Sequence, residues 1–454
     1  MSSTRRLFGT DGIRGLANIA PMDSETVMCL GRAIAHVFRR SEGRHRILIG
    51  KDTRVSGYML ETALESGIAS MGVDVFIVGP LPTPGIAFMT RSMRADAGVV
   101  ISASHNSYED NGIKFFGADG FKLADEAEQE IERLMQPGHL DELRASPDLI
   151  GKAFRIEDAI GRYTVYLKSC IERETTLDGL KIVLDTANGA AYRVAPLTFA
   201  ELGATIIPIG DKPNGKNINE GCGSLYPEVM AKLVKEHKAD VGIAFDGDAD
   251  RVIICDEKGQ IFDGDLLLAM LAIDFKQRGL LKGDAAVATV MSNFGLEATL
   301  RTNGIKLYRS DVGDRYVLQE MLEKGLNLGG EQSGHVIALD HNTTGDGILT
   351  ALLILSISLR AKRPLSSYAS LIKKYPQVLI NVPVREKPPF DDIPSIVTSL
   401  AEAEAKLAQT GRVLLRYSGT EPKARVMVES EDAALCNNIA QSVAETVRKE
   451  LAPS

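Results

Sequence analysis

Three stretches of this chain repeat one pattern, and that repetition restricts the fold more than any other feature. "RILIGKDTRVSGYMLETALESGIASMGVDVFIVG" runs apolar segment, polar loop, amphipathic segment, Gly72, β-rich segment. "LKIVLDTANGAAYRVAPLTFAELGATIIPIG" keeps that order with Gly203, and "AAVATVMSNFGLEATLRTNGIKLYRS" keeps it with Gly304. A helical pattern that stops at glycine before a β-rich run reads as a βαβ unit. Such crossovers join parallel strands, so the pattern predicts mixed or parallel sheets covered by helices. Three copies predict three related mixed α/β domains.

After about residue 366 the texture changes. "YPQVLINVPVREKPPFDD" predicts a strand and a Pro-rich connection, "GRVLLRYSGTEPKARVMVES" two strands around a turn, and "EDAALCNNIAQSVAETVRKEL" a closing helix. This is an α+β domain. A chain of 454 residues exceeds what one core supports. The expected domains are 1–151, 152–254, 255–366 and 367–454. Their joints fall in "QPGHLDELRASPDLIGK", the turn "DEKG" and "RAKRPLSS".

Composition excludes several functions. The net charge is -8 and no block of basic residues occurs, which argues against nucleic acid or an anionic membrane as the main partner. The most apolar stretch, "ILTALLILSISL", is too short to span a bilayer and predicts a buried helix. "MSSTRRLFGT" lacks the apolar run of a signal peptide. Five scattered cysteines, without a CxxC pair, fit a reducing cytoplasm.

The chemistry lies in four polar loops. In "VVISASHNSYEDNGIKFF" a buried strand runs into Ser102, Ser104, His105 and Asn106. Ser and Asn commonly cap turns. Alternatively, one serine is a nucleophile or phosphate carrier at an accessible strand end. Neighbours on an extended chain point to opposite faces, so no Ser104–His105 pair is expected. Lys114 is a candidate for placing positive charge over the site. In "VGIAFDGDADRVIICDEKG" Asp246, Asp248 and Asp250 alternate after a strand, and a curled loop would bring them onto one hard cation. A calcium loop would need Gly where Arg251 stands, and helices rather than strands on either side. In "LGGEQSGHVI" the glycines permit close backbone approach. Glu331, Ser333 and His335 would share one face of an extended loop and suit vicinal hydroxyls; a plain hairpin turn is the alternative. In "RYSGTEPKAR" Arg416, Ser418, Thr420 and Arg425 surround Gly419, as a phosphate dianion requires. The set points to a phosphosugar-handling enzyme.

"SASHN", "DGDADR", "GEQSGH" and "RYSGTEP", in this order, resemble the four signature loops of the α-D-phosphohexomutases, and the resemblance covers essentially the whole chain. "RLFGTDGIRG", "DNGIKFF" and "RVMVE" are most similar to the bacterial branch acting on glucosamine phosphate. The resemblance implies interconversion of glucosamine 6-phosphate and glucosamine 1-phosphate, feeding UDP-N-acetylglucosamine and peptidoglycan. It implies a four-domain, heart-shaped architecture. It selects Ser104 as the phosphoserine. One Mg2+ per chain would be held by Asp246, Asp248, Asp250 and the phosphate on Ser104, with a bisphosphorylated sugar as activator. Arg251 would contact the phosphate, and Arg14 and Lys114 would lie near it. Glu331 and Ser333 would hold sugar hydroxyls, with His335 nearby. Arg416, Ser418, Gly419, Thr420 and Arg425 would bind the substrate's own phosphate. Lys114 and His335 are both candidates for the general base. One departure is visible: the family's proline after "SASHN" is Ser107 here. Phosphomannose or phosphoglucose as the sugar, a magnesium-dependent phosphatase and a non-catalytic phosphosugar sensor are the alternatives. Monomer and homodimer both stay open.

Overall fold

The computed structural model describes residues 7–9, 11–39, 43–418 and 421–453. Four sheets follow one another along the chain. The first contains β1 (Ile13–Leu16), β2 (Arg46–Lys51), β3 (Asp74–Pro80), β4 (Ala97–Ile101), β5 (Asp110–Gly117) and β6 (Ala153–Arg155), in the order β1-β5-β4-β2-β3-β6. The second contains β7 (Lys181–Asp185), β8 (Thr205–Ile209), β9 (Val241–Phe245), β10 (Val252–Asp256) and β11 (Ile261–Phe262), in the order β11-β10-β9-β7-β8. The third contains β12 (Ala285–Thr289), β13 (Lys306–Ser310), β14 (Leu328–Gly330) and β15 (Val336–Ala338), in the order β13-β12-β14-β15. The fourth contains β16 (Gln377–Pro383), β17 (Gly411–Tyr417) and β18 (Lys423–Ser430), all antiparallel, with β18 central.

The first three sheets share a kernel. β2 lies parallel to β3 and β4, and β5 returns antiparallel to β4. β7, β8, β9 and β10 repeat this, as do β12, β13, β14 and β15. In each kernel two helical crossovers precede a short turn into the antiparallel fourth strand. Those three turns are "SASHN", "DGDADR" and "GEQSGH", so three distant motifs occupy one structural position. The crossover helices bury their own face of each sheet, and the inner strands read as continuous apolar runs. Every residue of β4, β9, β10 and β12 is buried. The helix Gly347–Ala361, expected from its apolar run, buries eleven of its fifteen residues. Among the described residues no helix is long and apolar enough to cross a membrane.

Contacts group the chain into two units, Met1–Met291 with Ile305–Ser370, and Ser292–Gly304 with Leu371–Ser454. The first holds the first three sheets, while the crossover helix Phe294–Thr302 of the third kernel belongs to the second. The second has its own core, in which Val382, Val426 and Val428 of its sheet meet Ile439, Val443 and Val447 of the closing helix. Burying each such side chain stabilises by about 1.5–3 kcal/mol.

Two expected joints lie inside sheets. β10 runs through position 254 and pairs along its length with β9. "DEKG" is the hairpin turn from β10 to β11, in which Asp256 Oδ1 accepts from Lys258 N at 2.9 Å and Gln260 N at 2.8 Å. The segment after residue 151 forms β6, which extends the first sheet parallel to β3. A polar turn inside a sheet and one between domains use the same residue types, because both must satisfy backbone groups locally.

Candidate active site

The turn after β4 does not continue as an extended chain. Asn106 N donates to Ala103 O at 3.1 Å, and Ser104 has φ +51°, a left-handed conformation uncommon outside glycine. That backbone defeats the alternation expected between Ser104 and His105: Ser104 Oγ lies 3.3 Å from His105 Nδ1. It also separates the roles of the two serines. Ser102 Oγ accepts from Ser104 N at 2.9 Å and serves the turn. Ser104 Oγ donates to Asp246 Oδ2 at 2.5 Å, across 142 residues of sequence. Where proline was expected to stiffen the turn, Ser107 O accepts from Asp110 N at 3.3 Å, and Asn106 Nδ2 donates to Asp110 Oδ2 at 3.0 Å.

The turn after β9 curls as its acidic residues require. Ala249 has φ +56°, and its N–H closes a turn onto Asp246 O at 3.1 Å. Carboxylate oxygens of Asp246, Asp248 and Asp250 then lie within 4.8 Å of one another, all buried. The flanks are strands, which removes the calcium-loop alternative. Asp248 Oδ2 accepts from Thr83 Oγ1 at 2.7 Å and Lys114 Nζ at 3.0 Å; Lys114 also reaches Asp250 Oδ2 at 3.4 Å. Asp248 Oδ1 and Asp250 Oδ1 are buried without hydrogen-bond partners among the described residues. Carboxylates this close repel by about 4 kcal/mol at 4 Å in a medium of effective dielectric 20. Burial, then Asp250 and Asp248, push Asp246 well above the usual carboxylate range. Two orphaned oxygens and a carboxylate under repulsion fit a hard divalent cation, whose ligands are oxygens.

Cations balance the remainder. Burial opposes charge on Lys114, but Asp11, Asp248 and Asp250 outweigh it and hold the ammonium well above its ordinary pKa. Asp11 pairs with Lys114 at 3.2 Å and accepts from Lys122 at 2.5 Å and Arg14 at 2.5 Å. Lys122 also pairs with Asp314 at 2.5 Å, and Asp314 lies 3.6 Å from His335 Nε2. Arg251 N donates to Asp246 Oδ1 at 3.2 Å, and its guanidinium lies 3.1 Å from His105 Nδ1. Burial, then Arg251 and Arg14, push His105 down to about 4.

The turn after β14 is a hairpin, not an extended loop. Gly334 N donates to Glu331 O at 3.0 Å, and Glu331 N to His335 O at 2.8 Å. Gly334 has φ +92°, and a Cβ there would stand 2.1 Å from Val252 O, so this turn packs directly on β10. The hairpin still brings two of its candidates together: Ser333 Oγ donates to Glu331 Oε2 at 3.3 Å, while Gly313 N donates to Glu331 Oε1 at 3.0 Å. A cavity of about 450 Å³ is lined by Arg14, His105, Asp250, Arg251, Glu331 and His335 among others. Five candidate site residues of the sequence, Arg14, Asp250, Arg251, Glu331 and His335, thus face one space with His105. Asp11, Thr83, Lys122 and Asp314 were missed. Asp11 stands inside the quoted "RLFGTDGIRG", and a carboxylate beside Arg14 was its one visible signal.

The second unit carries the fourth loop. Arg416 and Arg425 stand directly opposite each other on β17 and β18. Like charges so placed are destabilising, and Glu421 Oε2 accepts from Arg425 Nη2 at 3.5 Å. Arg425 Nη2 donates to Ser418 Oγ at 3.4 Å, while Lys387 Nζ donates to Ser418 O at 2.5 Å. Arg425 Nε is buried with no partner among the described residues. Lys387, in the Pro-rich connection, is a cation that sequence reasoning missed. Gly419 and Thr420 lie outside the described residues.

Sequence models described as phosphoglucomutase/phosphomannomutase alpha/beta/alpha domains I, II and III match residues 5–140, 161–259 and 263–375, and that of the C-terminal domain matches 379–446. The chain belongs to the phosphoglucomutase/phosphomannomutase family. A relative from Syntrophotalea carbinolica, named Phosphoglucosamine mutase, is 58% identical over 448 residues, 98% of each chain. One of the same name from Myxococcus xanthus is 56% identical over 449 residues, covering 99% of this chain and 98% of the relative. Among solved structures, a phosphoglucomutase/phosphomannomutase family protein from Burkholderia thailandensis superposes with a TM-score of 0.80 at 24% identity, covering 98% of this chain and 97% of that one. The N-acetylphosphoglucosamine mutase of Aspergillus fumigatus, in complex with GlcNAc-6P and magnesium, superposes with a TM-score of 0.65 at 16% identity, covering 98% and 95%. Both show the shared fold. As a member of this family the chain is an enzyme that moves a phosphoryl group within its substrate, an isomerase by class.

Proposed function

We propose that the protein interconverts glucosamine 6-phosphate and glucosamine 1-phosphate, carrying a phosphoryl group on Ser104. The observation that supports this most is the 2.5 Å bond from Ser104 Oγ into a buried acidic triad, two of whose oxygens have no hydrogen-bond partner among the described residues. Relatives 56–58% identical over nearly the full chain bear the matching name.

A magnesium ion held by Asp246, Asp248, Asp250 and a phosphate oxygen on Ser104 would offset the local negative charge and draw electron density from phosphorus. The chain's own residues do the rest. Arg251, Arg14 and Lys114 set positive charge where phosphate oxygens arrive. Glu331 and Ser333 take sugar hydroxyls. Arg416, Ser418, Gly419, Thr420 and Arg425 take the phosphate that is not being transferred. The Oγ–P bond breaks as a bond forms from phosphorus to the free sugar oxygen, giving a bisphosphosugar. After that intermediate reorients, Ser104 Oγ accepts the other phosphoryl group. Lys114, beside Asp11, Asp248 and Asp250, and His335, whose imidazole faces Asp314, are the two candidates for taking the sugar's hydroxyl proton. A cytoplasmic setting suits five cysteines free of disulfides.

The test replaces Ser104 with alanine and assays glucosamine, mannose and glucose phosphates in parallel, with phosphopeptide mapping of the unaltered protein. The expected outcome is phosphate on Ser104, preference for glucosamine phosphate, and no turnover by Ser104→Ala. Substantial turnover without the hydroxyl would end the carrier role.

A further inference from the structure

A phosphoryl carrier must hold its oxygen still, and the backbone around Ser104 is gripped by two side chains from outside its own turn. Arg54 follows β2 in "GKDTRVSG" and is 0% exposed. Its guanidinium pairs with Asp52 and donates to three carbonyls of the turn: Ser104 at 3.2 Å, Asn106 at 2.6 Å and Ser107 at 3.3 Å. Asn219 lies between β8 and β9, is 7% exposed, and donates Nδ2 to the carbonyls of Ser104 and Asn106, each at 2.9 Å. The same two carbonyls are therefore bound from two sides. Asn219 itself has φ +59°. A fully buried guanidinium with its own carboxylate is costly to place, and an ordinary turn does not need one. Neither side chain lines the cavity.

We propose that Arg54 and Asn219 are positioning residues for the phosphoryl transfer: by fixing the Ser104 carbonyl they hold the left-handed turn that aims Ser104 Oγ at Asp246. Released, Ser104 would relax to negative φ, where most residues lie, and Cβ would carry the oxygen off the triad. The inference rests on Ser104 as the carrier.

Two variants test it. Arg54→Lys keeps the charge but loses the planar fork that reaches several carbonyls. Asn219→Gly deletes the amide while tolerating the left-handed backbone. Each is expected to lower kcat by about ten- to a hundredfold, as a small misplacement of reacting groups does. KM for glucosamine 6-phosphate should stay within about twofold, since ground-state contacts are untouched. A crystal structure of Asn219→Gly should show Ser104 out of the left-handed region and its oxygen away from Asp246. If Arg54→Lys fails to fold, judged by its urea midpoint, Asn219→Gly decides alone. Unchanged kcat in folded Asn219→Gly, or a Ser104 still left-handed and bonded to Asp246, would overturn the proposal. An unaltered protein that does not interconvert phosphosugars would instead defeat the carrier role, and the crystal structure would still judge the grip.

Discussion

Lys114 shows how one side chain ties charge to fold. It is 2% exposed, and three carboxylates within 3.4 Å keep it ionised. Lys114→Ala leaves Asp248 and Asp250 facing each other without their lysine, while Asp11 keeps Lys122 and Arg14. Removing one partner of a buried ion pair costs about 3–5 kcal/mol, so urea denaturation in metal-free buffer should show a loss of that order. His105 gives a pH dependence of opposite origin. Its pKa falls from 6.5 to about 4 because burial and two arginines disfavour the imidazolium. Between those values the unfolded chain binds more protons than the folded one, so stability falls as pH drops from 6.5 toward 4. His105→Gln should flatten that slope in unfolding free energies measured on dephosphorylated protein.

The three kernels explain why motifs so far apart meet. Each chemical turn leaves the carboxyl end of the third parallel strand, and ligands of open α/β sheets bind outside those ends. The turns touch through backbone, which leaves no room for side chains at the contact. A Cβ on Gly247 would stand 2.5 Å from Ser104 O and 2.8 Å from Ile218 Cδ1. Gly247→Ala should therefore push the two turns apart, costing about 1–3 kcal/mol as overpacking does. Thermal unfolding with the mutase assay checks this, and the activity loss should exceed what the fraction unfolded explains.

The net charge is -8 and the sequence holds no block of basic residues. The concentrated charge is local and acidic, so divalent cations should stabilise the whole chain. A ligand that binds only the folded state raises the unfolding midpoint with its concentration. Added Mg2+ should raise the midpoint measured by scanning calorimetry, chelation should reverse the rise, and Asp248→Asn with Asp250→Asn should abolish it. A midpoint indifferent to Mg2+ would count against the triad as a metal site.

Local spacing in the chain carried the strands, the helical crossovers, the buried helix Gly347–Ala361 and the chemical inventory of four loops, because periodicity and turn chemistry act over a few residues. Short-range rules misjudged what depended on backbone twist: the left-handed Ser104 that brings His105 alongside, and the hairpin rather than extended form of Glu331–His335. Contacts over long separations were beyond such rules. Thr83 meets Asp248 across 165 residues, Lys122 meets Asp314 across 192, and Asn219 reaches the Ser104 carbonyl across 115. Nothing in those local neighbourhoods marks Asp314, Lys122 or Asn219 as different from a solvated polar side chain. Their partners are chosen when sheets pack and buried polar groups must find one another.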